Sequence, residues 1–231
     1  MRKIFTLLVL ALLCAVGVFP SGATEMYAAY SNVLNDSHNF THSLFDDFED
    51  FVPVVDGGGL LDFDFDGIDD LVLIYRHNEI EYIKVCAVYS YKNGQTIELF
   101  SQALSDGGNW GYSSIVHKDG KGALCDYIYL YPEGNGPHVM GGGARYYNVF
   151  ENGELVVKLG YYQNNYLSDF YQETADYQVW KVYRDGVEAS SGTAPPDKSI
   201  PEIEALIAEA EAMFGDEWKP LSANELTELL R

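Results

Sequence analysis

Basic residues are scarce in this chain. It carries 14 Lys and Arg against 35 Asp and Glu, which gives a formal net charge of −21 at pH 7. A field of this sign repels phosphate, so the scarcity of basic residues excludes nucleic acid and anionic membrane surfaces as partners. Divalent cations and basic partners are the ones that this charge favours.

Cysteine is also rare, with three residues in the whole chain. Cys86 and Cys125 each lie in a strand-like apolar stretch, and Cys14 lies near the N-terminus. In an exported protein, Cys86 and Cys125 could form a disulfide, or they could remain two buried free thiols. Their spacing provides no zinc site without further ligands.

The one long apolar run lies at the N-terminus. Residues 1–23 combine a basic start, an apolar core over residues 4–18 and a small-residue end at Ala23, which predicts a secretory signal peptide. The core is short for a transmembrane span, and Pro20 interrupts its end. Lipoprotein anchoring through Cys14 is disfavoured because Leu13 occupies a position that requires a small residue. We therefore expect a secreted, extracellular protein that is not integral to the membrane after processing, with residues 24–231 as a single domain.

The most informative stretch is an Asp-rich loop over residues 62–70. Its acidic residues alternate along the chain, and Gly67 at its sixth position permits a sharp turn. Hard divalent cations such as Ca²⁺ take six to eight oxygen ligands, and this spacing can aim alternate residues at one point. The predicted ligands are the side chains of Asp62, Asp64, Asp66 and Asp70 and the backbone carbonyl of Ile68. Without a cation these carboxylates repel one another by roughly 1 to 3 kcal/mol per close pair, so ion binding and local order are coupled.

This loop is not an EF-hand, because its twelfth position is Leu73 inside an apolar strand-like run rather than a bidentate acid. The pattern Asp-x-Asp-x-Asp-Gly-x-x-Asp-Leu over residues 62–71 resembles the calcium hairpin of FG-GAP and VCBS-type repeats, as found in integrin α propellers and secreted bacterial proteins. The resemblance covers residues 58–75. It implies a hairpin with a calcium ion of structural role. A solvated acidic turn with the same spacing is the alternative.

The middle of the chain predicts antiparallel β-structure. Runs rich in Val, Ile, Tyr and Leu alternate with Asn-Gly or Asp-Gly pairs at residues 93–94, 119–120, 152–153 and 185–186, which type I′ hairpins require. Nine strands are predicted near residues 71–76, 81–91, 96–104, 112–117, 123–131, 138–150, 154–161, 176–184 and 187–190. A propeller would need a calcium loop in each calcium-bearing blade, and only one is present. The pattern favours an α+β fold, mainly antiparallel β, as a meander sheet, an open barrel or a two-layer sandwich.

Helices are predicted at both ends of this domain. Apolar spacing predicts an N-terminal helix over residues 27–51, ended by Pro53. Amphipathic helices are predicted within residues 199–231, the first capped by Ser199 and stopped by Gly215, and the second capped by Ser222.

Two functions remain open. Tyr127, Tyr129 and Tyr131 alternate along one predicted strand and so share a face, where they could stack on a glycan or on a cell-surface protein, or pack beneath a helix. No frame for Ser/His/Asp catalysis surrounds any of the five histidines. We therefore favour a calcium-binding β-module with a binding or scaffolding role over the alternative, a small exported hydrolase of polysaccharide, peptidoglycan or peptide with a structural calcium.

Overall fold

A computed structural model describes residues 21–43, 52–105, 111–130, 139–166, 175–196 and 198–231. The predicted signal peptide lies for the most part outside these residues. The helices are α1 (Ser21–Asn35), α2 (Pro201–Phe214) and α3 (Ala223–Leu229), with a 3₁₀ turn at Ser37–Asn39. The strands are β1 (Pro53–Leu61), β2 (Asp70–His77), β3 (Lys84–Lys92), β4 (Gln95–Ser105), β5 (Gly111–Lys118), β6 (Lys121–Leu130), β7 (Val139–Glu151), β8 (Glu154–Tyr166), β9 (Tyr177–Arg184), β10 (Val187–Ala194), β11 (Asp216–Glu217) and β12 (Leu221–Ser222).

These strands form two antiparallel sheets. The five-stranded sheet has the order β12-β1-β2-β3-β4, and the seven-stranded sheet has the order β10-β9-β8-β7-β6-β5-β11. β1 to β4 and β5 to β10 are two meanders of consecutive neighbours, while the short strands β12 and β11 pair with β1 and β5. Neither sheet closes into a barrel. The predicted α+β fold, mainly antiparallel β, is confirmed as two sheets with helices outside them.

Hydrophobic clusters fill the spaces between the layers. The cluster shared by the two sheets contains Leu61, Phe63, Val72, Ile74, Cys86, Val88, Leu104, Ile115 and Leu124. α1 and α3 cover the other face of the five-stranded sheet through Tyr30 and Leu226, both fully buried. α2 covers the seven-stranded sheet with Leu206, which is also fully buried. Burial of this side chain stabilises the fold by roughly 1.5 to 3 kcal/mol. The order of layers is therefore helices, sheet, sheet, helix.

Four hairpin turns follow the predicted chemistry. At each Asn-Gly or Asp-Gly pair both residues have positive φ, for example 53° at Asn93 and 80° at Gly94. These values match the type I′ geometry that twists with the flanking strands. The turns over residues 119–120, 152–153 and 185–186 share this geometry, so the predicted type I′ turns are confirmed at all four positions.

The first strand, β1, is absent from the sequence prediction. Its Gly57-Gly58-Gly59 run has little strand propensity, yet each glycine lies against a neighbour. A Cβ on Gly57 would lie 2.4 Å from the Leu221 carbonyl oxygen, and one on Gly59 would lie 2.6 Å from the Trp218 ring. The glycines therefore let the C-terminal segment close onto the sheet, a reason that is invisible to local propensity.

The N-terminal helix is shorter than predicted. It ends at Asn35, a 3₁₀ turn follows, and Phe40 takes an extended conformation with ψ 134°. Asn35, Asp36 and Ser37 compete with the helix through their short polar side chains, which explains the break. Residues 44–51 lie outside the described residues. Phe40 instead stacks on Tyr75, with ring centroids 3.9 Å apart.

The C-terminal helical segment is confirmed, with one correction. α2 begins at Pro201 after Ile200 and has no side-chain cap, so the predicted Ser199 capping box is wrong. Ser222 does form the predicted capping box with Glu225. Gly215 ends α2 with φ 70°. Among the described residues, no helix is both long and apolar enough to cross a membrane.

The two cysteines of the domain are free thiols, and both are buried. Cys86 lies in the cluster between the sheets, whereas Cys125 lies in the cluster beneath α2. The two cysteines therefore lie in different layers. Of the two alternatives, a disulfide or two buried free thiols, the structure shows the free thiols. Burial raises the pKa of Cys86 to about 12 and that of Cys125 to about 11.

Candidate metal site

The Asp-rich loop joins β1 to β2. β1 ends at Leu61, β2 begins at Asp70, and these two residues pair across the antiparallel ladder. The loop therefore forms the tip of a hairpin, and the paired strand ends hold Asp62 and Asp70 near each other.

Two residues bend the loop through the left-handed region. Phe65 has a φ of 58° and Gly67 a φ of 86°. Gly67 adopts this conformation without steric cost, as the sequence predicts, whereas Phe65 carries the strain of an L side chain. Together they turn the chain where the carboxylates of Asp62, Asp64 and Asp70 come close to one another.

Backbone amides hold one oxygen of each inward-facing carboxylate. The amide of Gly67 donates to Asp62 Oδ2 at 3.2 Å, that of Asp66 to Asp64 Oδ1 at 3.3 Å and that of Phe63 to Asp70 Oδ2 at 2.8 Å. The second oxygen of each carboxylate is left for another partner. For Asp62 Oδ1 and Asp70 Oδ1, both buried, none of the described protein groups provides that partner.

Three of the predicted ligands converge. One carboxylate oxygen from each of Asp62, Asp64 and Asp70 lies within 4.8 Å of the others. Asp62 is 7% exposed and Asp70 is fully buried, and the side chain of Asp64 is 7% exposed. Buried carboxylates need a counter-charge or hydrogen bonds, because an uncompensated buried charge is costly. The group therefore fits a cation at its centre.

The other two predicted ligands lie outside this group of three. Asp66 has a side chain that is 32% exposed, and its Oδ1 accepts a hydrogen bond from the amide of Ile68 at 2.8 Å. Ile68 itself is exposed at the tip of the loop. The roles of the Asp66 carboxylate and the Ile68 carbonyl as ligands stay predictions.

The electrostatics of the group match this geometry. Burial raises the pKa of Asp70 to about 6. The neighbouring Ser90 hydroxyl and the Phe63 amide oppose this rise, and the charges of Asp64 and Asp66 add to it. Ser90 Oγ and Asp70 Oδ1 are nevertheless outside hydrogen-bonding geometry. Burial also raises the pKa of Asp62, again with contributions from Asp66 and Asp64. The folded protein therefore destabilises the negative charge that a cation would neutralise.

A lysine that the sequence reasoning missed lies at this site. Lys92, the last residue of β3, donates a hydrogen bond from Nζ to Asp64 Oδ2, and its Nζ lies 3.6 Å from Asp66 Oδ2. The bond to Asp64 raises the pKa of Lys92. Lys92 follows the loop by more than twenty residues, and only the pairing of β2 with β3 brings it near. No local motif could have indicated this contact.

The loop also connects the two sheets. The amide of Asp62 donates to the Gly120 carbonyl at 2.8 Å, and the amide of Gly122 donates to the Asp62 carbonyl at 3.1 Å. Phe63 is fully buried between the sheets, and a Cβ on Gly122 would lie 2.5 Å from its ring. A candidate metal ligand is therefore part of the junction between the five-stranded sheet and the β5–β6 hairpin.

Comparison with known proteins identifies no relative. Neither the family models nor the curated proteins nor the solved structures contain a match to this chain. The likeness of residues 58–75 to an FG-GAP or VCBS-type hairpin therefore stays a prediction based on spacing.

The donor set of the three carboxylates fits a hard cation. All three are oxygen donors, which suit Ca²⁺ and Mg²⁺ and are poor ligands for soft metals. The free oxygens of Asp62 and Asp70 would gain a partner on ion binding, and Asp64 Oδ2 already bonds a positive group. The site can thus hold a metal ion.

A cleft of about 280 Å³ lies between β4 and the β5–β6 pair. Within it, Asp126 accepts hydrogen bonds from Ser113 Oγ at 2.5 Å and from Asn148 Nδ2 at 2.7 Å. Burial nevertheless raises the pKa of Asp126. Among the described residues that line the cleft, Asp126 is the sole carboxylate.

An exposed tyrosine patch lies at the ends of β5 and β6. Tyr112 stacks on Tyr127 with ring centroids 4.4 Å apart, and Tyr129 lies 6.2 Å from Tyr112. Tyr112 and Tyr129 are 44% and 48% exposed, whereas Tyr127 packs against the cluster beneath α2. Of the alternating tyrosines, Tyr127 therefore packs beneath a helix and Tyr129 does not. Tyr131 lies outside the described residues. Tyr112, which the sequence reasoning did not select, joins the patch through its cross-strand pairing with Tyr127.

Proposed function

We propose that this protein is a secreted, calcium-stabilised β-module with a binding or scaffolding role outside the cell. The observation that carries the proposal is the pair of buried oxygens, Asp62 Oδ1 and Asp70 Oδ1, which lack a hydrogen-bond partner among the described groups. Two such oxygens beside the carboxylate of Asp64 constitute an anionic centre that a divalent ion would complete. The resemblance of residues 58–75 to calcium hairpins supports the same choice of ion.

The calcium would act as a structural clamp. The loop that would bind it is bonded through Asp62 to the hairpin turn at residues 119–120 and packs through Phe63 against Gly122. Neutralising the aspartates would hold both contacts in place and so fix one sheet relative to the other. Because the ligands lie mostly in the interior, little room is left at the ion for a substrate.

The binding surface that suits this role is the exposed pair Tyr112 and Tyr129, with Tyr127 supporting Tyr112 from below through ring stacking. Exposed tyrosine rings stack on the apolar faces of sugars and on partner proteins. The net charge of −21 disfavours sulfated or uronic-acid glycans, so neutral glycans and basic cell-surface proteins are the proposed partners.

At the cleft between β4 and the β5–β6 pair, the hydrolase alternative has less support. Glycoside hydrolysis uses two carboxyl groups on either side of the bond that breaks. The described lining of the cleft contributes Asp126 alone, and two hydrogen bonds hold its carboxylate in place.

The calcium clamp is tested by thermal unfolding of the purified protein in calcium and in chelator. We expect millimolar calcium to raise Tm, and Asp64→Ala with Asp66→Ala to abolish the gain, since sites on extracellular modules bind at roughly 10⁻⁴ to 10⁻³ M. Glu204→Ala with Glu211→Ala on the exposed face of α2 removes the same two charges and should keep the calcium response. Equal melting in calcium and in chelator would contradict the proposal.

The binding role is tested on an array of neutral and acidic glycans. Tyr112→Ala with Tyr129→Ala should abolish any binding, whereas Tyr82→Ala, at a tyrosine that is 63% exposed elsewhere, should not. Absence of binding, together with measurable hydrolysis of polysaccharide or peptide, would favour the alternative.

A further inference from the structure

We infer that Lys92 is the resident counter-cation of the Asp-rich site, and that a divalent ion must displace its ammonium group to bind. This inference rests on the proposed calcium site and concerns its regulation. Lys92 would keep the loop folded when calcium is scarce, and it would set the calcium concentration at which the clamp closes.

The contacts of Lys92 carry the inference. Its Nζ bonds Asp64 Oδ2, an oxygen of one of the three converging carboxylates, and lies 3.6 Å from Asp66 Oδ2. Among the described residues, every ion pair to the loop carboxylates comes from Lys92. The other oxygen of Asp64, Oδ1, accepts the Asp66 amide, so a divalent ion at the centre would compete with Lys92 for Oδ2.

The position of Lys92 is fixed by the fold. It ends β3 and pairs with Gln95 across the hairpin, whose turn residues Asn93 and Gly94 have the positive φ values of a type I′ turn. The backbone therefore presents the lysine to the loop in every copy of the protein. Its long side chain is 36% exposed and can swing into water when an ion enters.

The difference in charge between the Lys92 ammonium and a divalent ion determines which of the two occupies the site. An ammonium ion carries one positive charge, and it leaves Asp62 Oδ1 and Asp70 Oδ1 without a partner. A divalent ion supplies twice the charge and contacts all three carboxylates, so it wins at sufficient concentration. The loss of a charge-assisted hydrogen bond lowers the apparent affinity for calcium by about 10- to 100-fold.

The test compares calcium binding of the wild type and Lys92→Met by titration calorimetry, with melting in chelator as the second readout. We expect K92M to bind calcium about 10- to 100-fold more tightly and to melt at a lower temperature in chelator. Lys92→Arg, which keeps the charge, should bind like the wild type. Lys181→Met removes an ion pair to Glu188 on the other sheet, and it should leave calcium affinity unchanged. Lys92→Gln replaces K92M if the latter fails to fold.

The outcomes separate the inference from the proposed function. Calcium binding by the wild type with equal or weaker binding by K92M overturns the role of Lys92 and leaves the calcium clamp intact. Binding by K92M alone supports Lys92 as the resident cation and overturns calcium binding by the wild type. Binding by neither protein overturns both.

Discussion

Replacing Asp70 by Asn should have opposite effects with and without calcium. Asp70 is fully buried, its Oδ2 accepts the Phe63 amide, and its Oδ1 has no partner among the described groups. An asparagine can keep the bond to Phe63 and turn an N–H donor toward the unpartnered oxygen of Asp62. Without calcium the substitution therefore removes a buried charge, whereas with calcium it removes a ligand.

The size of the first effect follows from the pKa. Burial raises the pKa of Asp70 from 3.8 to about 6, and each pKa unit corresponds to about 1.4 kcal/mol, so the ionised group costs up to about 3 kcal/mol at pH 7. D70N should recover most of this cost in chelator. For a chain of this length the gain corresponds to a Tm increase of roughly 5 to 10 °C.

The second effect follows from ion binding. At about 10 mM calcium and a dissociation constant of about 0.1 to 1 mM, the wild type gains about 1.4 to 2.7 kcal/mol. D70N should gain little, because the centre loses one of its three carboxylates. The two proteins therefore differ most in chelator and approach each other as calcium is added.

The assay is thermal or urea unfolding of both proteins across a calcium series. Asp69→Asn is the matched control, since Asp69 is the neighbouring residue, is exposed and contributes its backbone carbonyl to Tyr30. D69N makes the same change in charge and should respond to calcium like the wild type. The reasoning is refuted if D70N is less stable than the wild type in chelator, or if it shows the full calcium response.

Three further predictions concern the rest of the fold. Gly122→Ala forces the buried ring of Phe63 to move and should lower the free energy of unfolding by about 1 to 3 kcal/mol. Gly143→Ala is the control, because its Cβ would lie at an ordinary 3.4 Å from the nearest atom. Equal losses in the two variants would contradict the close packing of Phe63 on Gly122. Cys86 and Cys125 should resist a thiol reagent in the native protein and react after unfolding, because both are buried and their pKa values are raised. Rapid labelling of the native protein would contradict this prediction. The folded pKa of Asp126 lies above its unfolded value, so its charge destabilises the fold at neutral pH, and this penalty disappears as pH falls through the folded pKa. In urea unfolding, Asp126→Asn should thus be more stable than the wild type at pH 7 and should lose this advantage toward pH 4. A gain in stability that does not change with pH would contradict the role of the Asp126 charge.

Local signals predicted the elements whose causes are local. The Asn-Gly and Asp-Gly turns, the capping box at Ser222 and the stop at Gly215 depend on a few adjacent residues, so the chain itself reveals them. The end of the N-terminal helix was missed because apolar spacing alone does not register the competition from Asn35, Asp36 and Ser37.

By itself, the sequence indicated that carboxylates converge in a tight acidic loop, because alternate residues of such a loop share one side and Gly67 permits the turn. Three of the four predicted carboxylates, those of Asp62, Asp64 and Asp70, do converge. Only the tertiary structure decided how deeply Asp62 and Asp70 are buried, which lysine faces them and which sheet the loop joins. Those properties come from strands distant in the chain: β3 brings Lys92, and the β5–β6 hairpin brings Gly120 and Gly122. The free energy of a charged site depends on everything that surrounds it, and those surroundings exist only once the chain has folded.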